Sequence, residues 1–412
     1  MREDLLIKYA GLLVQVGVNL QPGQNLVIDC PLHAAALGRA CAAAAYAAGA
    51  RDVAVHYEDE ALARLRCRLA PREVLEEAKP WQSARYLDYI GDCAGATLRI
   101  VSPDPAAFRG IDPERVQAQA RARRLAMEPV RAYTGKDRVQ WCIAAAPSPE
   151  WAAAVFPSLG QQEAVEALWD AIFEVTRIDT PDPVEAWRAH AQRNIAYRDK
   201  LNALAPVRLY LKDDHGTDLV MDLARGARWD GAREMSEAGV PFIPNMPTEE
   251  VFTAPHSHGV NGPGVGSKPY VYNGDIIDGF TLTFREGRVV DFSARTGQEL
   301  LGRLLQEADG SDRLGEFALV PHSSPISRKG LLFYNTLFDE NAACHMALGQ
   351  SYASCLPGGA AMTAAQLAER GMNQSTTHAD LMMGSASLSV EGEDESGRRF
   401  PLFRGGEWDI SL

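Results

Sequence analysis

The chain has 412 residues, 46% of them hydrophobic, which is more than one ordinary core serves and implies two domains. Its formal net charge of −13 argues against a nucleic-acid partner, because binding a phosphate backbone needs a basic surface. No apolar run approaches the ~20 residues that cross a bilayer, so no membrane association is expected.

The N-terminal stretch MREDLLIKYAGLLVQVGVNL is charged and amphipathic and lacks the marks of a signal peptide. NLVIDC (25–30) reads as a buried strand, residues 32–50 as an alanine-rich helix, and DVAVHY (52–57) as a second strand. A helix over 71–79, a strand over 97–102, a helix over 112–133 and a strand over 139–146 continue the alternation. Strands alternating with helices imply βαβ units and a mostly parallel sheet. Helices over 161–178 and 182–204 follow. No glycine fingerprint for a dinucleotide follows the first strand, since Pro31 and His33 stand where glycines are needed.

After Ala205-Pro206 the texture changes. VRLYLKDDHGTDLVMDL reads as a hairpin turning near His215-Gly216, and further hairpins run to the end of the chain. The expected organisation is an α/β domain over 1–205 and an α+β domain rich in antiparallel strands over 206–412. GPGVGSK (262–268) lacks Walker spacing and a following helix, so it reads as a turn. Seven cysteines, scattered and without C-x-x-C, read as reduced thiols and a cytoplasmic location.

Five of nine histidines lie after residue 255. In THADLMMG a strand puts His378 and Asp380 on one face, about 7 Å apart at Cα, close enough to serve one metal or two. A hydrogen-bonded His-Asp pair at a sheet rim explains that stretch equally well. DENAACHMALG reads as a helix started by Asp339 and stopped at Gly349, with apolar neighbours crowding His345. In LGEFALV a strand points Glu316 with the apolar residues, where a carboxylate is costly unless paired or metal-bound. NMPTEEVFTAPHSHGV offers Glu249, Glu250, His256 and His258; in an extended segment the two glutamates point to opposite sides. Imidazole and carboxylate ligands without thiolate suit zinc, cobalt, manganese or magnesium.

The strings NMPTEEVFTAPH, GEFALVP, SPIS, TLFDENAACHMALG and THADLMMG, in this order, resemble the aminopeptidase T / aminopeptidase S (PepS) family of metallopeptidases. The likeness covers the second half and extends more loosely to the first. It implies an exopeptidase with two divalent metal ions, acting on peptides with a free N-terminus. It also implies a homodimer with active sites opening on an internal cavity. Carried over by position, the metal ligands are Glu250, Glu316, His345, His378 and Asp380. Tyr352 stands beside the metals to stabilise the tetrahedral intermediate. Glu316 bridges or handles the proton of the attacking water, with Glu340 as the other base. His258 becomes an exposed loop residue, and His256 lines the site without binding metal. Two other readings use the same residues: an amidohydrolase acting on a non-peptide amide, and a metal-stabilised binding protein without turnover.

Overall fold

The apolar run at residues 25–30 forms β1 (Asn25–Pro31), with Leu26, Val27 and Ile28 buried. Strands covered on both faces read as unbroken apolar runs, as a parallel sheet requires. β2 (Asp52–Glu58), β3 (Gly95–Val101) and β4 (Trp141–Ala145) join it in the order β2-β1-β3-β4, all parallel. The alanine-rich helix Ala35–Ala47 packs on β1 and β2. The computed structural model describes residues 3–104, 107–272 and 274–412, the Cys93 side chain excepted. The helix expected over 112–133 is two, Pro113–Ala126 and Glu128–Thr134, and that over 71–79 is one turn, Arg72–Leu75. Helices Glu60–Leu69, Trp81–Ile90 and Pro149–Val155 complete the alternation. The first of these is capped by the Asp59 carboxylate, which accepts from the Ala61 and Leu62 N–H groups.

The chain groups into two compact units, Met1–Ala189 with Arg233–Pro247, and His190–Ala232 with Thr248–Leu412. A single cut near residue 205 differs from this in two respects: residues 190–205 group with the second unit, and residues 233–247 with the first. Residues 233–247 return to the first unit, where Ile243 N–H donates to Gly17 O and Ile143 N–H to Pro244 O, at 2.9 and 2.7 Å.

In the second unit β5 (Arg208–Lys212) and β6 (Asp218–Leu223) form the expected hairpin. β7 (Asp230–Gly231) follows, then β8 (Glu234–Met235) and β9 (Pro241–Phe242), a small hairpin in the segment that belongs to the first unit. The rest are β10 (Val251–Thr253), β11 (Pro255–Val265), β12 (Tyr270–Tyr272), β13 (Asp275–Arg285), β14 (Arg288–Thr296), β15 (Leu314–Leu319), β16 (His345–Gly349), β17 (His378–Met382), β18 (Ser389–Glu393), β19 (Arg399–Arg404) and β20 (Glu407–Trp408). They build a five-stranded sheet, β17-β16-β15-β10-β7, and a larger one, β12-β13-β11-β6-β5-β18-β19-β20, with β14 paired to β13. The turn expected at GPGVGSK is mostly strand: Gly262–Val265 pair with Thr281–Phe284 of β13. The core draws on both sheets, with Leu209, Leu211, Met221, Phe280 and Leu282 from one and Phe317, Leu319, Met346, Leu348 and Leu381 from the other. Burying each such side chain stabilises the fold by about 1.5–3 kcal/mol. Among the described residues no helix is long and apolar enough to cross a membrane.

Candidate metal centre

The core takes one face of the five-stranded sheet and leaves the other for polar side chains. Phe317, Met346 and Leu381 face the core; by the strand period of two, their neighbours Glu316, His345 and Asp380 face the other way. Register puts Glu316, Ala347 and Asp380 in one row across β15, β16 and β17, and Ala318, His345 and Met382 in the next. Ala347 therefore sits between two carboxylates, and its methyl group leaves space above the sheet. A register shift between Leu314 and Glu316 marks a bulge that re-aims Glu316. The chain can pass there only as glycine, since a Cβ on Gly315 would meet Gly349 O and Gln350 O at 2.4 Å.

His345 lies on a strand, not on the helix that its sequence suggests. A short helix, Thr336–Asp339, and a 3₁₀ turn, Glu340–Ala342, end before β16 begins at His345. Helix propensity is a weak prior, and the strands on either side of this fully buried segment override it. Glu250 precedes the first paired residue of β10, Val251. Its neighbour Glu249 does turn elsewhere, towards His190 at 3.7 Å, while Glu250 Oε2 stands 3.3 Å from His345 Nε2.

Two donor groups result. Glu250, Glu316 and His345 offer ligand atoms within 4.8 Å of one another, and so do Glu316, His378 and Asp380. His345 Nε2 is 3.8 Å from Glu316 Oε1; His378 Nε2 is 3.2 Å from Glu316 Oε2 and 3.0 Å from Asp380 Oδ1. Both imidazoles are oriented from behind. His345 Nδ1 faces Ala343 O at 3.3 Å, and His378 Nδ1 faces Gln350 O at 2.9 Å. A carbonyl only accepts, so Nδ1 carries the hydrogen and each neutral ring turns a lone pair on Nε2 into the cluster. There it meets carboxylate oxygens, which also only accept. Only a cation between them, a proton or a metal ion, makes that arrangement favourable. Buried Glu250 Oε2 accepts no hydrogen bond either. The donors are nitrogen and oxygen without sulfur, the set that suits a divalent ion of the zinc, cobalt, manganese or magnesium kind.

With protons as the only cations, the electrostatics follow suit. Burial alone lowers His345, but Glu316, Glu250 and Asp380 outweigh it and raise it to about 10. Burial likewise opposes His378, which Asp380 and Glu316 raise to about 11. Burial, together with Glu316 and Asp380, pushes Glu250 up to about 7. Glu340 belongs to neither donor group. Burial and the charges of Asp380, Glu250 and Glu316 push it well above the usual carboxylate range. Tyr352 follows β16 in a loop; its ring lies 4.9 Å from that of His378 and 5.6 Å from that of Phe252. Desolvation and the same carboxylates hold its hydroxyl well above its ordinary value, so it stays protonated. Sequence reasoning passed over Phe252, whose only signal is its spacing of two from Glu250. His258 is exposed on β11, where Arg313 Nη1 stands 3.3 Å from its Nδ1, and His256 packs on Gly371; neither joins a donor group.

An α/β half, an antiparallel α+β half and a buried nitrogen–oxygen donor cluster on a sheet face together define a metalloenzyme. The chain belongs to the thermophilic metalloprotease (M29) family, whose model matches residues 2–408. It is 45% identical over 410 residues to aminopeptidase 2 of Geobacillus stearothermophilus, covering 100% of this chain and 99% of that one. It is 42% identical over 412 residues to aminopeptidase T of Thermus thermophilus, covering 98% of each. The solved structure of wild-type AmpT from Thermus thermophilus matches with a TM-score of 0.91 at 40% identity, over 98% of this chain and 99% of that one.

Proposed function

We propose that the protein is a metal-dependent aminopeptidase whose two divalent ions share Glu316. The observation that carries this is the membership of Glu316 in both donor groups, with an inward-turned imidazole on each side. Glu250, His345 and Glu316 would hold one ion; His378, Asp380 and Glu316 the other. When bound, such ions polarise the scissile carbonyl and ionise water near neutral pH.

The chain's own residues do the rest. Glu316 is committed to the metals, so the proton falls to Glu340, which lies beside the cluster and outside both donor sets. With the ions bound, their charge would ionise Glu340, which then takes the proton of the attacking water and gives it to the leaving amine. The Tyr352 hydroxyl, still protonated, donates to the developing oxyanion. The carboxylates attract the substrate's α-ammonium, which selects a free N-terminus. The same reading includes a homodimer, supported by the family resemblance, and a cytoplasmic location, supported by six buried free thiols among the described residues.

Chelation should abolish hydrolysis of leucyl or arginyl anilides, and cobalt or zinc should restore it. N-acetylated anilides should be inert. Full activity without metal sinks the scheme, and equal turnover of blocked substrates makes the protein an amidohydrolase instead. Sedimentation would test the dimer.

A further inference from the structure

The segment that carries Glu250 has no sheet ladder to fix it. Residues 248–250 precede β10, so their backbone groups must find partners elsewhere. Two side chains supply a partner each. His190 Nε2 lies 2.9 Å from Thr248 O, and Glu249 N–H donates to Asn341 Oδ1 at 2.7 Å. Asn341 is completely buried. Its amide orientation is dictated by its neighbours: an N–H faces one end, while Leu337 O at 3.3 Å and Glu340 Oε1 at 3.4 Å face the other. One amide therefore grips the backbone beside Glu250 through its oxygen and the carboxyl of Glu340 through its nitrogen. Ala343, the residue after the Glu340–Ala342 turn, supplies the carbonyl behind His345, and Ser324 Oγ donates to Asn341 O at 3.4 Å.

We propose that Asn341 is a positioning residue that fixes Glu250 and Glu340 relative to each other, and so couples the metal-holding half of the centre to its proton carrier. This rests on the metallopeptidase reading and adds a residue to it. The two ends of the amide have separable roles. Asn341→Asp keeps an acceptor for Glu249 N–H but replaces the amide donor to Leu337 O and Glu340 with a second carboxyl, which shares a proton with Glu340 and disturbs its proton transfer; Asn341→Ala removes both ends of the amide.

The test measures metal content after dialysis, kcat and KM on leucyl anilide, and Tm, for wild type and both variants. Asn341→Ala should lose metal affinity by about 10–100-fold, the usual cost of removing an outer partner of a ligand. Asn341→Asp should retain metal and an unchanged KM while kcat falls about tenfold or more. Wild-type kcat in Asn341→Asp overturns the proposal. So does an Asn341→Ala protein that is only less heat-stable, with metal and kcat intact in the folded fraction. If Asn341→Ala does not fold, the near-isosteric Asp variant decides alone. Wild-type activity indifferent to chelators would instead sink the metallopeptidase reading before the variants are compared.

Discussion

The two halves of the centre meet at Glu316 but differ in what surrounds them. The His345 side chain is 1% exposed, whereas that of His378 is 21% exposed and packs on Tyr352, itself 46% exposed. The inner imidazole is backed by a turn that the core encloses, the outer one by the loop after β16. Closed metal sites hold their ion for structure, and open ones leave room for water or substrate. On the proposed reading, the inner half fixes the centre and the outer half meets the peptide.

The largest effect should come from the residue both halves share. Glu316→Gln should cost about 10³-fold or more in kcat/KM, about 4 kcal/mol, together with metal at both positions. Full metal content in that variant would mean that Glu316 does not bridge. Glu340→Gln should reduce kcat by about 10²–10⁴-fold and leave metal content untouched, which separates proton transfer from metal binding. Tyr352→Phe should cost about 10²-fold in kcat with little change in KM, since its hydroxyl acts on the oxyanion alone. A KM effect instead would make Tyr352 a binding residue of the open half. Under limiting chelator, metal release should be biphasic, with the phase assigned to His378 and Asp380 faster. A single phase would erase the distinction between the halves.

How much of this was legible depended on how local each signal is. His378 and Asp380 share a face because a strand's period is two, and that can be read from five residues. Glu316 was visible for the same reason, as a carboxylate in an apolar strand. His345 reads as helical because alanine-rich DENAACHMALG has helix propensity, whereas its strand state comes from β15 and β17 beside it. The divergence of Glu249 and Glu250 is legible from the alternation of an extended segment, but the side chains that hold its backbone, His190 and Asn341, lie 58 or more residues away. The parallel order of the first sheet followed from alternation, whereas the return of residues 233–247 to that unit has no pattern that periodicity detects.

The smallest effect separates the halves by their protons. In the metal-free protein His345 and His378 titrate at about 10 and about 11. At pH 8 both are protonated, and both must become neutral to bind metal. Metal binding should therefore release about two protons, and affinity should rise with pH until these groups titrate. Glu250, raised to about 7, is ionised at pH 8 but protonated at pH 6. Below about 7 a third proton must leave, so affinity should fall more steeply with acid there, by up to about a further tenfold per unit. Competition with a chromophoric chelator at pH 6, 7 and 8 reads both slopes. Glu250→Gln should remove the steepening and keep the two-proton release, because the extra proton belongs to the inner half. Affinity independent of pH would show that the imidazoles are neutral without metal. The Nε2 lone pairs would then face the carboxylates with no cation between them, and their orientation would no longer call for a metal.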